Sequence, residues 1–377
     1  MIALIFYPFH IMKYSFFICL ILIQWTGATK SLAGFDSLGY KKYQEIENSL
    51  VLIKNDHSLL PLKNLETLEI VSLSAAEQML GFHSRVNAYK EAKNVIDTFE
   101  GLELNRNLLI LAINSMNPPS DKQVESIVTI MENRRDSKMV LIINSLEWLS
   151  TNSTLSNVAS AIIYTPIAEE LAYDFAVQGV FGGIGIRGNL SEQETSLVGL
   201  SVMSTSPINR FKYTLPEEVG ISSDSLQIGI EKIVQEGLDS MAYPGCQVFV
   251  AKNGKVIFEK SYGYHTYDKV QPVTNTDIYD LASVTKVTGA TTALMKLYDE
   301  GKYNLDAKFT TLWPAFEKTD KKDITIRNVL AHNARLLPYI TYYQHSKKKN
   351  AKYKWNSIKQ DSSKRFPQQL SETRFLH

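Results

Sequence analysis

Hydrophobic and polar positions change rhythm along this chain, and the changes divide it. From about residue 45 to residue 200, short apolar runs alternate with amphipathic stretches. The runs at 68–73, 108–113, 140–143 and 161–164 are continuous, the pattern of strands buried on both faces. Between them Val124, Ile127, Val128 and Met131 mark one helical face, and Leu171, Phe175 and Val180 another that ends at Gly182-Gly183. Strands alternating with helices predict a mostly parallel, helix-covered sheet. No phosphate-cradling glycine pattern follows these strands, so a nucleotide site is not expected.

Residues 201–216 lose the periodicity and are rich in Ser, Thr and Pro, which predicts a linker. A second domain is expected over 217–377. Ser222 or Ser223 can cap a helix with Leu226, Ile230, Ile233 and Val234 on one face. The strand-like runs 245–251 and 255–262 flank Asn253-Gly254, the strongest short hairpin signal. Farther on, Val287, Ala290, Leu294 and Leu297 recur at the spacing of one helical face, and Gly301 is placed to stop that helix. Residues 324–332 read as a short helix with an exposed end.

At 377 residues two domains are the default expectation. A hydrophobic content of 44% and a charged content of 21% are ordinary for a globular protein. The net charge of +1 gives no reason to expect nucleic acid as a partner. At the N-terminus Lys13 precedes an apolar run at 14–25, and small residues follow at Gly27, Ala28, Ser31 and Ala33. That layout predicts a signal peptide over 1–33, or an N-terminal anchor if uncleaved, with export to a periplasm or cell envelope. The two cysteines are Cys19 and Cys246, so removal of the leader leaves one thiol and no internal disulfide.

The candidate chemistry is a pair, Ser283 and Lys286. Three apart at the start of a helix, they lie on one side, which suits a serine nucleophile beside a proton-accepting amine. Partial positive charge at the helix start favours a neutral lysine and stabilises negative charge on a substrate. The same spacing recurs at Ser346-Lys-Lys-Lys349 in a basic tail, and a bare Ser283 reads more readily as a helix cap, with Lys286 a solvated first-turn residue, so context decides.

Two resemblances supply that context. Ser49-Leu-Val-Leu-Ile-Lys-Asn-Asp-His-Ser-Leu-Leu-Pro-Leu62 resembles the opening of the C-terminal α/β domain of glycoside hydrolase family three. Gln178-Gly-Val-Phe-Gly-Gly-Ile-Gly-Ile-Arg-Gly-Asn-Leu190 resembles the segment that closes it, so the likeness covers 45–200. In that family the nucleophilic aspartate sits on a preceding barrel, typically about 250 residues long. The stretch before residue 45 is too short to hold one, so the activity is not carried over. Glycoside hydrolysis needs two flanking carboxyl groups. Glu169 or Glu170 could be nominated, but both lie on a helix face, and Asp56 and His57 are expected to shape a turn.

Over about 217–337 the chain is similar to the class C β-lactamase and penicillin-binding serine hydrolase family. The segments that carry the likeness are Pro244-Gly-Cys-Gln-Val-Phe-Val250, Leu281-Ala-Ser-Val-Thr-Lys286 and Ile324-Thr-Ile-Arg-Asn-Val-Leu-Ala-His332. The resemblance implies that Ser283 attacks a carbonyl, that Lys286 assists its deprotonation, and that the Ser283 N–H forms half of an oxyanion hole. Three departures stand against full activity. The family's Tyr-x-Asn motif is missing, since Tyr353-Lys-Trp-Asn356 is one residue too long. Its Lys- or His-x-Gly strand is missing, and Ala331-His-Asn-Ala-Arg335 lacks the usual glycine. The lysine-rich stretch 346–365 reads as a solvated loop.

The expectation is therefore two α/β units: a helix-covered, mostly parallel sheet of the family-three C-terminal type, then an incomplete α+β domain of the serine β-lactamase type. The function expected is an exported serine hydrolase acting through Ser283, weak or idle in a truncated chain. The alternatives left open are a fragment of an envelope β-glycosidase acting on N-acetylated sugars and a non-catalytic glycan-binding module. A small-molecule or peptidoglycan-derived substrate is expected, with no nucleic acid, no cofactor, no metal, and membrane contact only through the N-terminal segment.

Overall fold

The computed structural model describes residues 37–74, 79–96, 107–134, 136–199 and 201–337, with the short strand segments 2–6, 20–21, 358–359, 368–371 and 374–376. The expected leader, apart from two of those segments, falls outside the described residues, as do Cys19, the run 346–349 and the 353–356 segment. The chain divides into two compact units, Met1–Asp280 and Leu281–His377. No helix among the described residues is long and apolar enough to cross a membrane.

The first unit contains a six-stranded sheet. Its strands are β1 (Val51–Asn55), β2 (Ile70–Ser74), β3 (Ala92–Ile96), β4 (Leu108–Ile113), β5 (Lys138–Ile143) and β6 (Ala161–Tyr164). The spatial order is β1-β6-β5-β4-β2-β3. All neighbours run parallel except β1 against β6. The strands are continuously apolar because both faces are covered, within a unit that also holds the helices α1 (Ser37–Asn48), α4 (Leu146–Thr151), α5 (Ser153–Val158) and α7 (Glu192–Val198). On one face Ile70, Leu108, Ile110, Val140 and Ile142 pack with Phe82 and Val86 of α2 (Leu80–Tyr89) and Phe175 and Val180 of α6 (Glu170–Phe181). On the other, Val71, Leu73, Leu109, Leu111 and Leu141 meet Val124, Ile127 and Met131 of α3 (Asp121–Asn133). Each such side chain, taken from water, contributes about 1.5–3 kcal/mol. A Ser120–Gln123 capping box starts α3, and Gly182, in the left-handed region at φ 78°, ends α6.

The helix-covered parallel sheet expected from the sequence is thus present. Two strands lay outside the predicted set. Ala92 and Val95 of β3 pack on the core only partly, one on each face, and its Ala-Lys-Asn-Val-Ile sequence shows no apolar run. β1 joins antiparallel at the opposite edge.

Residues 201–216, expected as a linker, are tied down. The Met203 N–H donates to the Leu52 carbonyl at 2.8 Å, and the Ile208 N–H to the Gly182 carbonyl at 2.9 Å. The Arg210 guanidinium donates to the carbonyls of Leu62, Phe181 and Lys63. β7 (Lys212–Tyr213) then pairs parallel with β9 (Lys255–Gly263), which forms a hairpin with β8 (Gly245–Lys252). The turn between them places Asn253 and Gly254 at φ 54° and 74°, as a two-residue turn demands. The helix α8 (Ser223–Asp239), capped by Ser222, packs Val234 against Tyr243, Cys246, Val248 and Val250. Burial pushes the Cys246 thiol up to about 11, so it serves as a small apolar side chain.

The second unit holds α9 (Thr292–Asp299) and α10 (Ile326–Leu330), joined by short turns. A Thr325–Asn328 capping box starts α10, in the segment expected to be a short helix. The longer helix departs from expectation. Between Ser283 and α9 the chain makes a wide π-helical stretch, Lys286–Thr291, rather than a uniform α-helix. An added residue in one turn rotates everything after it, so the predicted single apolar face is broken. Val287 is 65% exposed and Leu297 40%.

Candidate functional site

Leu281-Ala-Ser-Val-Thr-Lys286 enters its helix through a strained turn. Ala282 sits at φ 43°, a region that a residue with a β-carbon rarely adopts. Three successive tight bonds follow: Val284 N–H to the Leu281 carbonyl, Thr285 N–H to Ala282, and Lys286 N–H to Ser283. The backbone then widens. Its composition explains why, since β-branched Val and Thr with one Gly form α-helix poorly. The threonine hydroxyls take up carbonyls along the wide stretch. Thr288 donates to Val284 at 3.1 Å, Thr291 to Lys286 at 2.9 Å, and Thr292 to Val287 at 3.2 Å.

This turn brings the two candidate residues together. Lys286 Nζ donates to Ser283 Oγ at 2.8 Å, and both side chains are exposed. Among the described residues Ser283 Oγ has no other partner, and the Ser283 N–H is unpaired. The pair therefore has a nucleophile, an amine within proton-transfer distance and one available main-chain donor.

The other residues weighed from sequence are occupied elsewhere. Glu169 pairs with Lys42 at 2.8 Å, and Glu170 accepts the Gly81 N–H at 2.6 Å near the start of α2. Asp56 and His57 lie in a turn in which His57 and Ser58 have positive φ. Among the described residues no cluster of three or more His, Cys, Asp or Glu could hold a metal ion.

Two polar constellations lay outside the sequence expectations. In the first unit, Asp277 bonds His265 Nε2 at 2.6 Å and accepts both the N–H and the hydroxyl of Thr274 at 2.9 Å. Burial works to raise its carboxyl, but the Thr274 and His265 hydrogen bonds outweigh it and hold the group below its usual range. The Thr-x-x-Asp spacing carried the signal, as it matches a capping box. In the sheet core, His83 of α2 meets Ser72 Oγ through Nδ1 and Ser74 Oγ through Nε2, both at 2.8 Å. Ser72 Oγ also donates to Asn94 Oδ1 at 2.7 Å, so it must accept from the ring. Nδ1 is thereby the ring's donor, and because burial keeps the imidazole neutral at pH 7, its Nε2 accepts from Ser74.

Comparison with known proteins agrees with the second resemblance. Residues 230–375 match the family model described as Beta-lactamase, so this part of the chain is β-lactamase-related. Protein flp of Staphylococcus aureus strain N315 is 35% identical over 125 residues, which are 32% of this chain and 24% of that protein. A Salmonella paratyphi B protein that carries a D-alanyl-D-alanine carboxypeptidase name is 32% identical over 133 residues, 32% of this chain and 30% of its own. The chain thus spans about a quarter to a third of the length of these relatives. Among solved structures, a Paenibacillus family-three β-N-acetylglucosaminidase aligns with 44% of this chain and 35% of its own, at 9% identity and a TM-score of 0.33. A Listeria innocua β-glucosidase covers 41% of this chain and 26% of its own, at 14% identity and a TM-score of 0.32. Neither assigns a role to any residue here.

Proposed function

We propose that the chain is an acyl-transfer serine hydrolase of the β-lactamase and penicillin-binding type, exported to the cell envelope, with Ser283 as nucleophile. The observation that carries this reading is the 2.8 Å contact between Lys286 Nζ and Ser283 Oγ, inside the β-lactamase-related part of the chain. The Ser283 hydroxyl passes its proton to Lys286 Nζ while Oγ attacks a substrate carbonyl. The tetrahedral oxyanion is met by the Ser283 N–H, the ester forms as the leaving group takes the proton back, and water then releases the acid. Peptidoglycan-derived amides and esters are the substrate class, by analogy with the carboxypeptidase name of one relative.

Turnover is expected to be slow. The pair is exposed, and the second unit offers it no third member among the described residues. Removing members of such a set lowers rates by orders of magnitude. The test is labelling of the purified chain with a fluorescent penicillin and a fluorophosphonate beside Ser283→Ala. Labelling that disappears in the variant supports the assignment. A folded chain that takes neither reagent, or is labelled equally with Ala at 283, sinks it.

A further inference from the structure

We propose that the first unit carries an anion-binding cleft, independent of Ser283, that takes a small oxyanion with two negative charges through Arg187. The cleft has a volume of about 410 Å³. That lies within the usual size of small-molecule sites, about 300–1,000 Å³. Glu47 and Asn48, the Gly183–Arg187 bend, the 207–212 strap and the Asn253-Gly254 hairpin turn enclose it.

Its charge is unbalanced. Arg187, Arg210, Lys212 and Lys255 line it, and only Glu47 among the lining residues is acidic. Two of these cations are fully engaged. Arg210 is committed to three main-chain carbonyls. Lys212 bridges Glu47 and Glu218. Lys255 shares the same Glu218 at 2.7 Å. Four cations therefore face two carboxylates, and no further acidic residue is among those that line the cleft.

Arg187 is the group left to answer it. Its guanidinium is exposed and makes no hydrogen bond or ion pair among the described residues. The Gly185 N–H, two residues back and lining the same cleft, is also unpaired. An added β-carbon at Gly185 would come within 2.6 Å of the Thr205 carbonyl, so the bare main chain is required there. A planar guanidinium beside a free main-chain N–H is the donor set that holds phosphate or a carboxylate through two bonds. Asn48 adds an amide with no partner among the described residues, able to take a further oxygen.

Phosphate and dicarboxylate share this chemistry, so calorimetric titration of the full chain with inorganic phosphate and, separately, with malonate is the test. Saturable binding of at least one of them is expected, and their relative affinities identify the oxyanion preferred. Arg187→Gln is expected to weaken that binding at least about tenfold, as loss of a charge-assisted pair should. The variant is expected to keep the wild-type thermal midpoint, because Arg187 has no hydrogen-bond or ion-pair partner to lose among the described residues. Lys42→Gln, which removes the same charge outside the cleft, should change affinity less than about twofold at physiological salt. Absence of binding by both anions, or binding unchanged by Arg187→Gln, overturns the proposal. Equal weakening by Lys42→Gln overturns it too, as it would reduce the effect to net charge.

Discussion

Thr291 Oγ1 donates to the Lys286 carbonyl at 2.9 Å, across five residues and along the whole of the wide turn that follows Ser283. The bond marks how the chain tolerates a non-α register directly after its candidate nucleophile. Gly289 lies in the middle of that turn. A β-carbon there would meet only the Thr285 Cγ2 atom at 3.5 Å, an ordinary contact. Gly289→Ala should therefore stabilise the segment by about 0.5–1 kcal/mol through reduced chain entropy. A higher urea midpoint checks this. A lower one would mean that the wide register needs glycine.

Gly254 is different in kind. It sits at φ 74° in the β8–β9 turn, and nothing lies within 4 Å of an added β-carbon. Space is available and only the backbone objects, so Gly254→Ala should cost about 1–2 kcal/mol. The hairpin sheet should stay paired, with the loss confined to the urea midpoint. A loss several times larger would show that the turn does more than reverse the chain.

These two glycines mark what could be read in advance. Asn253-Gly254 announces its hairpin locally, because the turn geometry depends on those two residues alone. The runs at 108–113, 140–143 and 161–164 were legible for a similar reason, being buried on both faces. Gly289 announces nothing, since Val287, Ala290, Leu294 and Leu297 fit an α-helical stripe that only the three-dimensional register breaks. Ser283 and Lys286 were legible as a spacing, but the left-handed Ala282 before them was not. His83 was invisible for a further reason. Its partners Ser72 and Ser74 share one strand face at i and i+2, and no local pattern links that face to a histidine on the next helix.

That histidine sets a pH dependence. Burial lowers the His83 imidazole to about 4, against an unfolded value near 6.5. The unfolded chain therefore takes up a proton first as pH falls. The stability in question is complete above pH 6.5 and lost progressively between about 6.5 and 4. The full span is about 3.5 kcal/mol at most, since each pKa unit corresponds to about 1.4 kcal/mol. Urea unfolding at pH 7.5, 5.5 and 4.5 should show this loss in the wild type and a shallower one in His83→Gln, which cannot titrate. Identical slopes in the two proteins would count against the assignment.

A second buried network predicts the opposite slope. Arg85 Nε bonds Asp174 Oδ2 at 2.8 Å, and its guanidinium lies 3.7 Å above the Tyr213 ring. Gln178 joins them, donating to Asp174 Oδ1 at 2.7 Å and to the Tyr213 carbonyl at 3.0 Å. Burial raises the Asp174 carboxyl, and Arg85 pulls it back most strongly. Arg85→Met leaves that carboxylate without its cation and should cost about 3–5 kcal/mol at neutral pH. Without the guanidinium, the folded protein holds a proton on Asp174 more tightly than the unfolded chain does. The penalty of Arg85→Met should accordingly grow as pH rises from 5 to 8 and shrink as it falls. Asp174→Asn added to Arg85→Met should recover part of the loss and flatten that slope. A penalty that does not change with pH would mean that the aromatic contact to Tyr213, rather than the ion pair, is what Arg85 contributes.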